Sequence, residues 1–202
     1  MIDDIDRKLT CNFSLYELIR SDTAERNKTL LEEQLDPPES IVNNLTYLAQ
    51  TALQPIREKL NYPIRVTSGY RSKGVNKAVG GSARSQHVRG EAADLILDDA
   101  FLVDENTKDI RVFICQKVRE LTGSEIRPGV NANFYLFAYI CLHLEELDVD
   151  QVIHEYGISR GRPAWVHVSA STNKDRRQIV AIGKRYSTER GMTLERALSF
   201  GT

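Results

Sequence analysis

No run of apolar residues in this 202-residue sequence approaches the ~18–20 that a membrane-spanning helix needs, which excludes a helical span. No basic-then-apolar leader opens it either. Met1-Ile2-Asp3-Asp4-Ile5-Asp6 is acidic, so a secretory signal is not expected and synthesis in the cytoplasm is. An excess of charge of one sign is also lacking: 27 Lys+Arg against 28 Asp+Glu leave a net charge of −1. Such a chain lacks the electrostatic footprint of non-specific nucleic-acid binding. There are three cysteines, Cys11, Cys115 and Cys141, an odd number at wide spacing. That excludes a disulfide framework and a cysteine-based zinc finger. Cys115 and Cys141 sit in apolar stretches and read as small core hydrophobes in a reducing compartment. Neither an internal repeat nor a low-complexity linker is found.

What is present is an ordinary globular composition, 41% hydrophobic and 27% charged, long enough for a real core. Ser14-Leu15-Tyr16-Glu17 has capping-box spacing and predicts a short helix to about Arg20. A polar stretch runs from there to Asp36-Pro37-Pro38. Ile41, Leu45, Leu48, Ala52, Ile56 and Leu60 recur at helical steps, predicting one long amphipathic helix over 39–60. Ile64-Arg65-Val66-Thr67 predicts a strand. Residues 73–91, with Gly80-Gly81, read as a long loop of the kind that is usually functional. Residues 92–97 predict a buried strand, and 108–122 and 133–147 predict helices. Gln151–Tyr156 and Trp165–Ser169 predict an antiparallel hairpin. The tail, 174–202, holds seven Lys/Arg and three Asp/Glu and reads as helical. The expectation is an α+β protein: a small antiparallel sheet flanked by helices over 1–173, then a basic helical tail over 174–202.

Four histidines occur: His87, His143, His154 and His167. His143 falls inside a helical pattern and reads as ordinary. His87 lies in Ser85-Gln86-His87-Val88-Arg89-Gly90-Glu91-Ala92-Ala93-Asp94, at the end of the presumed loop. Asp94 is the anomaly, because a carboxylate inside a buried strand costs several kcal/mol unless it is paired or bound to a metal. A salt bridge to Arg71 or Arg89 would satisfy it; a metal would explain His87 as well. His167, in the alternating Trp165-Val166-His167-Val168-Ser169, shares a face with Trp165 and Ser169. Two imidazoles and a carboxylate leave one position of a tetrahedral zinc open, the arrangement of a catalytic site. Zinc so placed brings the pKa of water down to about 7.

These motifs resemble the zinc D-alanyl-D-alanine carboxypeptidase family, which includes phage endolysins and shares its core with the hedgehog signalling domain. The family pattern S-x-H-x-x-G-x-A-x-D is met by Ser85, His87, Gly90, Ala92 and Asp94. Ser68-Gly69-Tyr70-Arg71-Ser72 upstream and Trp165-Val166-His167-Val168 downstream resemble its other two blocks, in the right order. Phe13-Ser14-Leu15-Tyr16-Glu17-Leu18 resembles the N-terminal segment of a phage-rich branch. The resemblance spans roughly residues 12–170. It implies a single zinc held by His87, Asp94 and His167, a hedgehog-like core, and hydrolysis of D-amino-acid peptide bonds in peptidoglycan stem peptides. It further implies that Arg71 binds the substrate carboxylate or polarises the scissile carbonyl, that Ser85 hydrogen-bonds substrate or orients the loop, and that Trp165 borders the substrate.

One departure bears on mechanism. Many family members carry an acid three positions before the last histidine; here Ala164 stands there. Pairing of the two hairpin strands would bring Glu155 nearly opposite His167, within reach of a water at the metal. A one-residue register shift would bring His154 instead. Another acid such as Asp150, or an inactive site, are the remaining alternatives. The rival function is a metal-stabilised cell-wall-binding or virion-associated domain without turnover. A peptidoglycan substrate outside the membrane, with no signal in the chain, fits a phage enzyme that is released or carried on the virion. Nucleic-acid binding through Lys174, Arg176, Arg177, Lys184 and Arg185 is disfavoured, since no aromatic platform accompanies them.

Overall fold

The computed structural model describes residues 4–173 and 175–202. Met1, Ile2 and Asp3 of the acidic start and Lys174 of the basic tail lie outside the described residues.

The chain begins with three short helices, α1 (Leu15–Ile19), α2 (Asp22–Glu25) and α3 (Lys28–Gln34). Each is started by a polar side chain that accepts an N–H three residues on: Ser14 from Glu17, Ser21 from Ala24, Asn27 from Leu30. The cap satisfies a donor that the first turn would otherwise leave orphaned. Next, α4 (Glu39–Leu48) and α5 (Gln54–Leu60) flank a π-helical turn, Ala49–Leu53. The single helix expected over 39–60 is therefore one helical path with a wide turn in it. Pro55 is the cause: it has no N–H to give, and its ring would strike the carbonyl four residues back.

Then come β1 (Arg65–Ser68), α6 (Lys73–Ala78), β2 (Ala92–Ile96), α7 (Lys108–Thr122) and α8 (Ala132–Leu142). β3 (Gln151–Glu155), β4 (Trp165–Ser169), β5 (Gln178–Ile182), β6 (Glu189–Arg190) and α9 (Leu194–Leu198) complete the order. Residues 73–91, expected to be loop throughout, hold α6 and a 3-10 turn, Gln86–Arg89. The Ser72 hydroxyl starts α6 by accepting from the Val75 N–H at 3.2 Å.

The strands form one six-stranded sheet in the order β1-β2-β4-β3-β5-β6. It is larger than the small antiparallel sheet expected, and antiparallel only in part, because β5 runs parallel to β3. The segment expected as a helical tail supplies the two strands at one end of the sheet, β5 and β6, with α9 as its one α-helix among the described residues. A parallel partner comes without the tight turn that marks a hairpin in sequence, so its pairing leaves no local signal.

Alternation along the strands gives the sheet two distinct faces. Leu95, Val152, Val166, Val168, Ile179 and Ala181 point into the core, where α8 packs across β2, β3 and β4. Buried along most of its length, α8 is apolar on nearly every side, as a fully covered helix should be. Cys141 lies in that core, Cys115 is half-buried and Cys11 exposed, all three free. On the opposite face of the sheet stand Ser68, Asp94, His167 and Ile153, paired in register across β1, β2, β4 and β3. They look into an open cleft of about 1300 Å3.

Candidate metal centre and its cleft

His87, Asp94 and His167 meet at the base of that cleft, all buried, with one ligand-capable atom from each within 4.8 Å of the others. Two come from neighbouring strands, where Asp94 on β2 pairs directly with His167 on β4. His87 arrives from the 3-10 turn, which closes at Gly90 with φ 68. A side chain at Gly90 would be strained by that left-handed backbone and would press its Cβ on the Ile41 carbonyl oxygen, 2.9 Å away. The glycine therefore lets the turn lie close on α4 and sets where His87 points.

The hydrogen bonds define which ring atoms face the centre. His87 Nδ1 donates to the Gly69 carbonyl at 2.6 Å, so its Nε2 carries the lone pair. His167 Nε2 donates to Gln86 Oε1 at 3.3 Å, leaving a lone pair on Nδ1. Gln86 is held in that orientation by its own Nε2, which donates to Asp150 Oδ2 at 3.0 Å. Buried Asp150 in turn accepts from the Arg176 guanidinium, at 2.9 Å from Nε and 2.5 Å from Nη2. Partners that fix the outer nitrogen of a histidine are what orient it as a metal ligand.

Two imidazole lone pairs and Asp94 Oδ1 thus face one another. His87 Nε2 is 3.1 Å from His167 Nδ1, and each nitrogen is 3.2 Å from Asp94 Oδ1. Ligands bound at ~2.0–2.1 Å to a tetrahedral zinc stand about 3.3 Å from each other, so the triangle needs little adjustment to accept one. Three converging electron-rich atoms repel unless a cation sits among them. The donor set therefore fits zinc. Burial alone pushes the Asp94 carboxyl up; when protons rather than a metal occupy the facing imidazole nitrogens, the charge and hydrogen bonds of His87 and His167 outweigh burial and hold the group far below the usual carboxylate range. Its outer oxygen, Oδ2, accepts from Arg71 Nη2 at 2.5 Å.

The other residues expected at the site all line the cleft: Arg71, Ser85, Glu155 and Trp165. Arg71 is bound to Asp94 and, through Nε, to Ser68 Oγ at 2.8 Å. Glu155 is not opposite His167. Ile153 holds that place, and Glu155 pairs with Trp165. The hairpin closes with the Ala164 N–H donating to the Glu155 carbonyl at 2.9 Å, which fixes this register. Glu155 nevertheless shares the cleft face, and its Oε2 accepts from Trp165 Nε1 at 2.6 Å. Burial pushes its carboxyl above the ordinary range, aided by the charge of Asp94 and opposed by His167, the indole N–H and Arg71.

His154 points the other way, into the core. It donates from Nε2 to the Arg160 carbonyl at 2.6 Å and accepts at Nδ1 from the Tyr186 hydroxyl at 2.7 Å. Burial pulls its pKa down to about 4. His154 is a satisfied neutral core residue. Asp150 supports Gln86 rather than facing the triangle.

Sequence reasoning missed two glutamines. Gln86 lay inside the recognised motif but had no role until its contact with His167 was visible. Gln34, buried, donates to the carbonyls of Ile19 and Tyr70 at 2.6 and 2.8 Å and accepts from the Ser72 N–H at 2.8 Å. With the Tyr70 N–H on the Leu18 carbonyl at 2.7 Å, it clamps the stretch bearing Gly69 and Arg71 to α1 and α3. No sequence signal marks a buried amide of this kind.

A family model described as Peptidase M15 matches residues 12–120. That span contains His87 and Asp94, while His167 lies beyond it. Among curated proteins no match is found. Among the described residues no helix is long and apolar enough to cross a membrane.

Proposed function

The chain belongs to the M15 family of zinc D-Ala-D-Ala carboxypeptidases, and from that premise we propose that it hydrolyses D-amino-acid-containing peptide bonds of peptidoglycan stem peptides. The observation that carries this reading is the convergence of His87 Nε2, His167 Nδ1 and Asp94 Oδ1 at the base of an open cleft. These three side chains would hold the zinc. Bound there, zinc supplies Lewis acidity, polarising the scissile carbonyl and making water a better nucleophile at neutral pH.

The remaining work falls to the chain's own groups. Glu155, desolvated and still reachable from the cleft, takes a proton from the attacking water at Oε1 and later returns it to the leaving amine. Trp165 keeps its other oxygen in place. Arg71 holds Asp94 with Nη2 and turns the rest of its guanidinium to an oxygen of the substrate, a carboxylate or the carbonyl. Ser85 lies at the cleft wall, where its hydroxyl meets the peptide. A peptidoglycan substrate also agrees with release from a phage-infected cell, or carriage on a virion, as the route of such a protein to the wall.

The test is incubation of the zinc-loaded protein with purified peptidoglycan, following new amino groups and the muropeptide profile. Cleavage that chelation stops and zinc restores supports the proposal. Cleavage that survives both chelation and His87→Ala refutes the metal mechanism. Stoichiometric zinc with no new amino groups would instead make the chain a metal-stabilised wall-binding domain.

A further inference from the structure

The cleft extends well beyond the metal-binding triangle, and its far wall comes from the C-terminal segment that the family model does not reach. Pairing carries one row of residues across the sheet on the cleft face: Asp94, His167, Ile153, Val180 and Arg190. Three strand spacings of about 4.8 Å put Arg190 about 14 Å from His167 along that row. Between them Ile153 lines the cleft, Val180 is fully covered, and Gln151 and Gln178 line it beside Ile153.

Arg190, at the end of this row, and Lys184, two residues past β5, both line the cleft and are exposed. Neither has a salt-bridge partner among the described residues. Their nearest acid in sequence, Glu189, is taken by Arg160 and Arg196 at 3.0 and 2.8 Å. By contrast Arg71, Arg89 and Arg176, also in the cleft, are each neutralised by a carboxylate: Asp94, Glu91 and Asp150. Arg84, on the opposite wall beside Ser85, is likewise exposed and in no salt bridge among the described residues; Lys184 and Arg190 are the two such cations on the β5–β6 side of the cleft.

We infer that Lys184 and Arg190 form a distal anion subsite that selects substrates carrying a free carboxylate about three residues from the scissile bond, on the side away from Arg71. An extended peptide advances about 3.4 Å per residue, so 14 Å is about four residues, and the length of the arginine side chain shortens this to about three. In a stem pentapeptide cut at its terminal D-Ala-D-Ala bond, the third residue on that side is a γ-linked glutamate whose α-carboxyl is either free or amidated. The subsite distinguishes the two forms. This inference rests on the peptidase reading for its substrate class, and its test separates the two.

The probes are synthetic stem pentapeptides identical except for a free or amidated glutamate α-carboxyl. Binding to the zinc-loaded full chain is read from the fluorescence of Trp165, the one tryptophan, which lines the cleft; turnover is read in parallel. The free-carboxyl peptide should bind about fivefold to tenfold tighter, the scale of a two-cation contact with one carboxylate at a solvated site. That ratio should fall to near one in the Lys184→Gln/Arg190→Gln double variant, and shrink in high salt as exposed charges are screened. Circular dichroism and unchanged binding of the amidated peptide establish that the double variant is folded. Equal binding of the two peptides by the unaltered protein, no binding of either, or a preference that survives the double substitution would overturn the subsite. A carboxyl-dependent preference in binding without any cleavage would support the subsite while removing the peptidase reading.

Discussion

Arg71 grips Asp94 by one oxygen only, Nη2 to Oδ2 at 2.5 Å, and leaves Oδ1 turned toward both histidines. The pair is largely removed from solvent, so the guanidinium both offsets the carboxylate charge and sets its rotation. In Arg71→Met the carboxylate loses its permanent counter-ion. The metal-free variant should be less stable by roughly 3 kcal/mol, the usual cost of stranding one member of a buried pair. Zinc should then stabilise the variant more than the parent, because the ion becomes the sole neighbour able to neutralise Asp94. Urea midpoints with and without zinc measure both quantities; an unchanged metal-free midpoint would show that the pair contributes nothing.

Gln86 is predicted to act on His167 without touching substrate. Replacing it with alanine removes the acceptor of the outer N–H and lets the imidazole turn. Zinc affinity should fall about tenfold, the lower end of what loss of such a partner costs. Competition against a chromogenic chelator gives the number directly. An affinity equal to that of the parent would mean that the strand backbone alone orients the ring.

Glu155 should give its proton-accepting role away in a pH profile. Its carboxyl is raised, so the base form appears only above the ordinary glutamate range, and kcat/KM should fall as pH drops through that raised value. The Trp165 N–H stabilises the charged form; Trp165→Phe should therefore raise the pKa further and move the acidic limb to higher pH. Glu155→Gln should lower kcat about a hundredfold or more while zinc content stays at the parental level. A Glu155→Gln protein with parental turnover would transfer the role to another group.

His154 makes a separate claim about stability. Folded, its pKa is about 4; unfolded, it is near the ordinary 6.5. Between those values the unfolded chain binds more protons, so stability is lost as pH falls from about 6.5 toward 4 and is fully present above. The full loss is about 3 kcal/mol for a shift of this size. His154→Gln should be less stable at neutral pH, yet lose less on acidification. Urea unfolding at pH 7 and pH 5 tests the difference.

The parts of the fold legible in sequence were those coded locally. Ser14 announced α1 through its spacing to Glu17, and the alternation around His167 gave its face. Asp94 revealed itself as the wrong residue for a buried strand. Nonlocal features were not readable. β5 joins β3 in parallel with no turn between them, so Gln178–Ile182 carries no local mark of its pairing and falls within the tail read as helical. Glu155 was placed on the correct face but beside the wrong partner, because the backbone bond from Ala164 that closes the hairpin has no side-chain signature. Pro55 falls inside the helix expected over 39–60 without altering that expectation, and the π turn that absorbs it depends on packing. The links from Gln86 to Asp150 and Arg176 join residues far apart in the chain, and only folding brings them together.

Everything proposed for this site requires one ion among three side chains, and counting that ion is the most direct test. The purified protein, loaded with zinc and dialysed free of excess, should carry about one zinc per chain by elemental analysis. His87→Ala and His167→Ala, checked by circular dichroism to be folded, should carry close to none. A parent protein that retains no zinc, or variants that retain as much as the parent, would contradict the account.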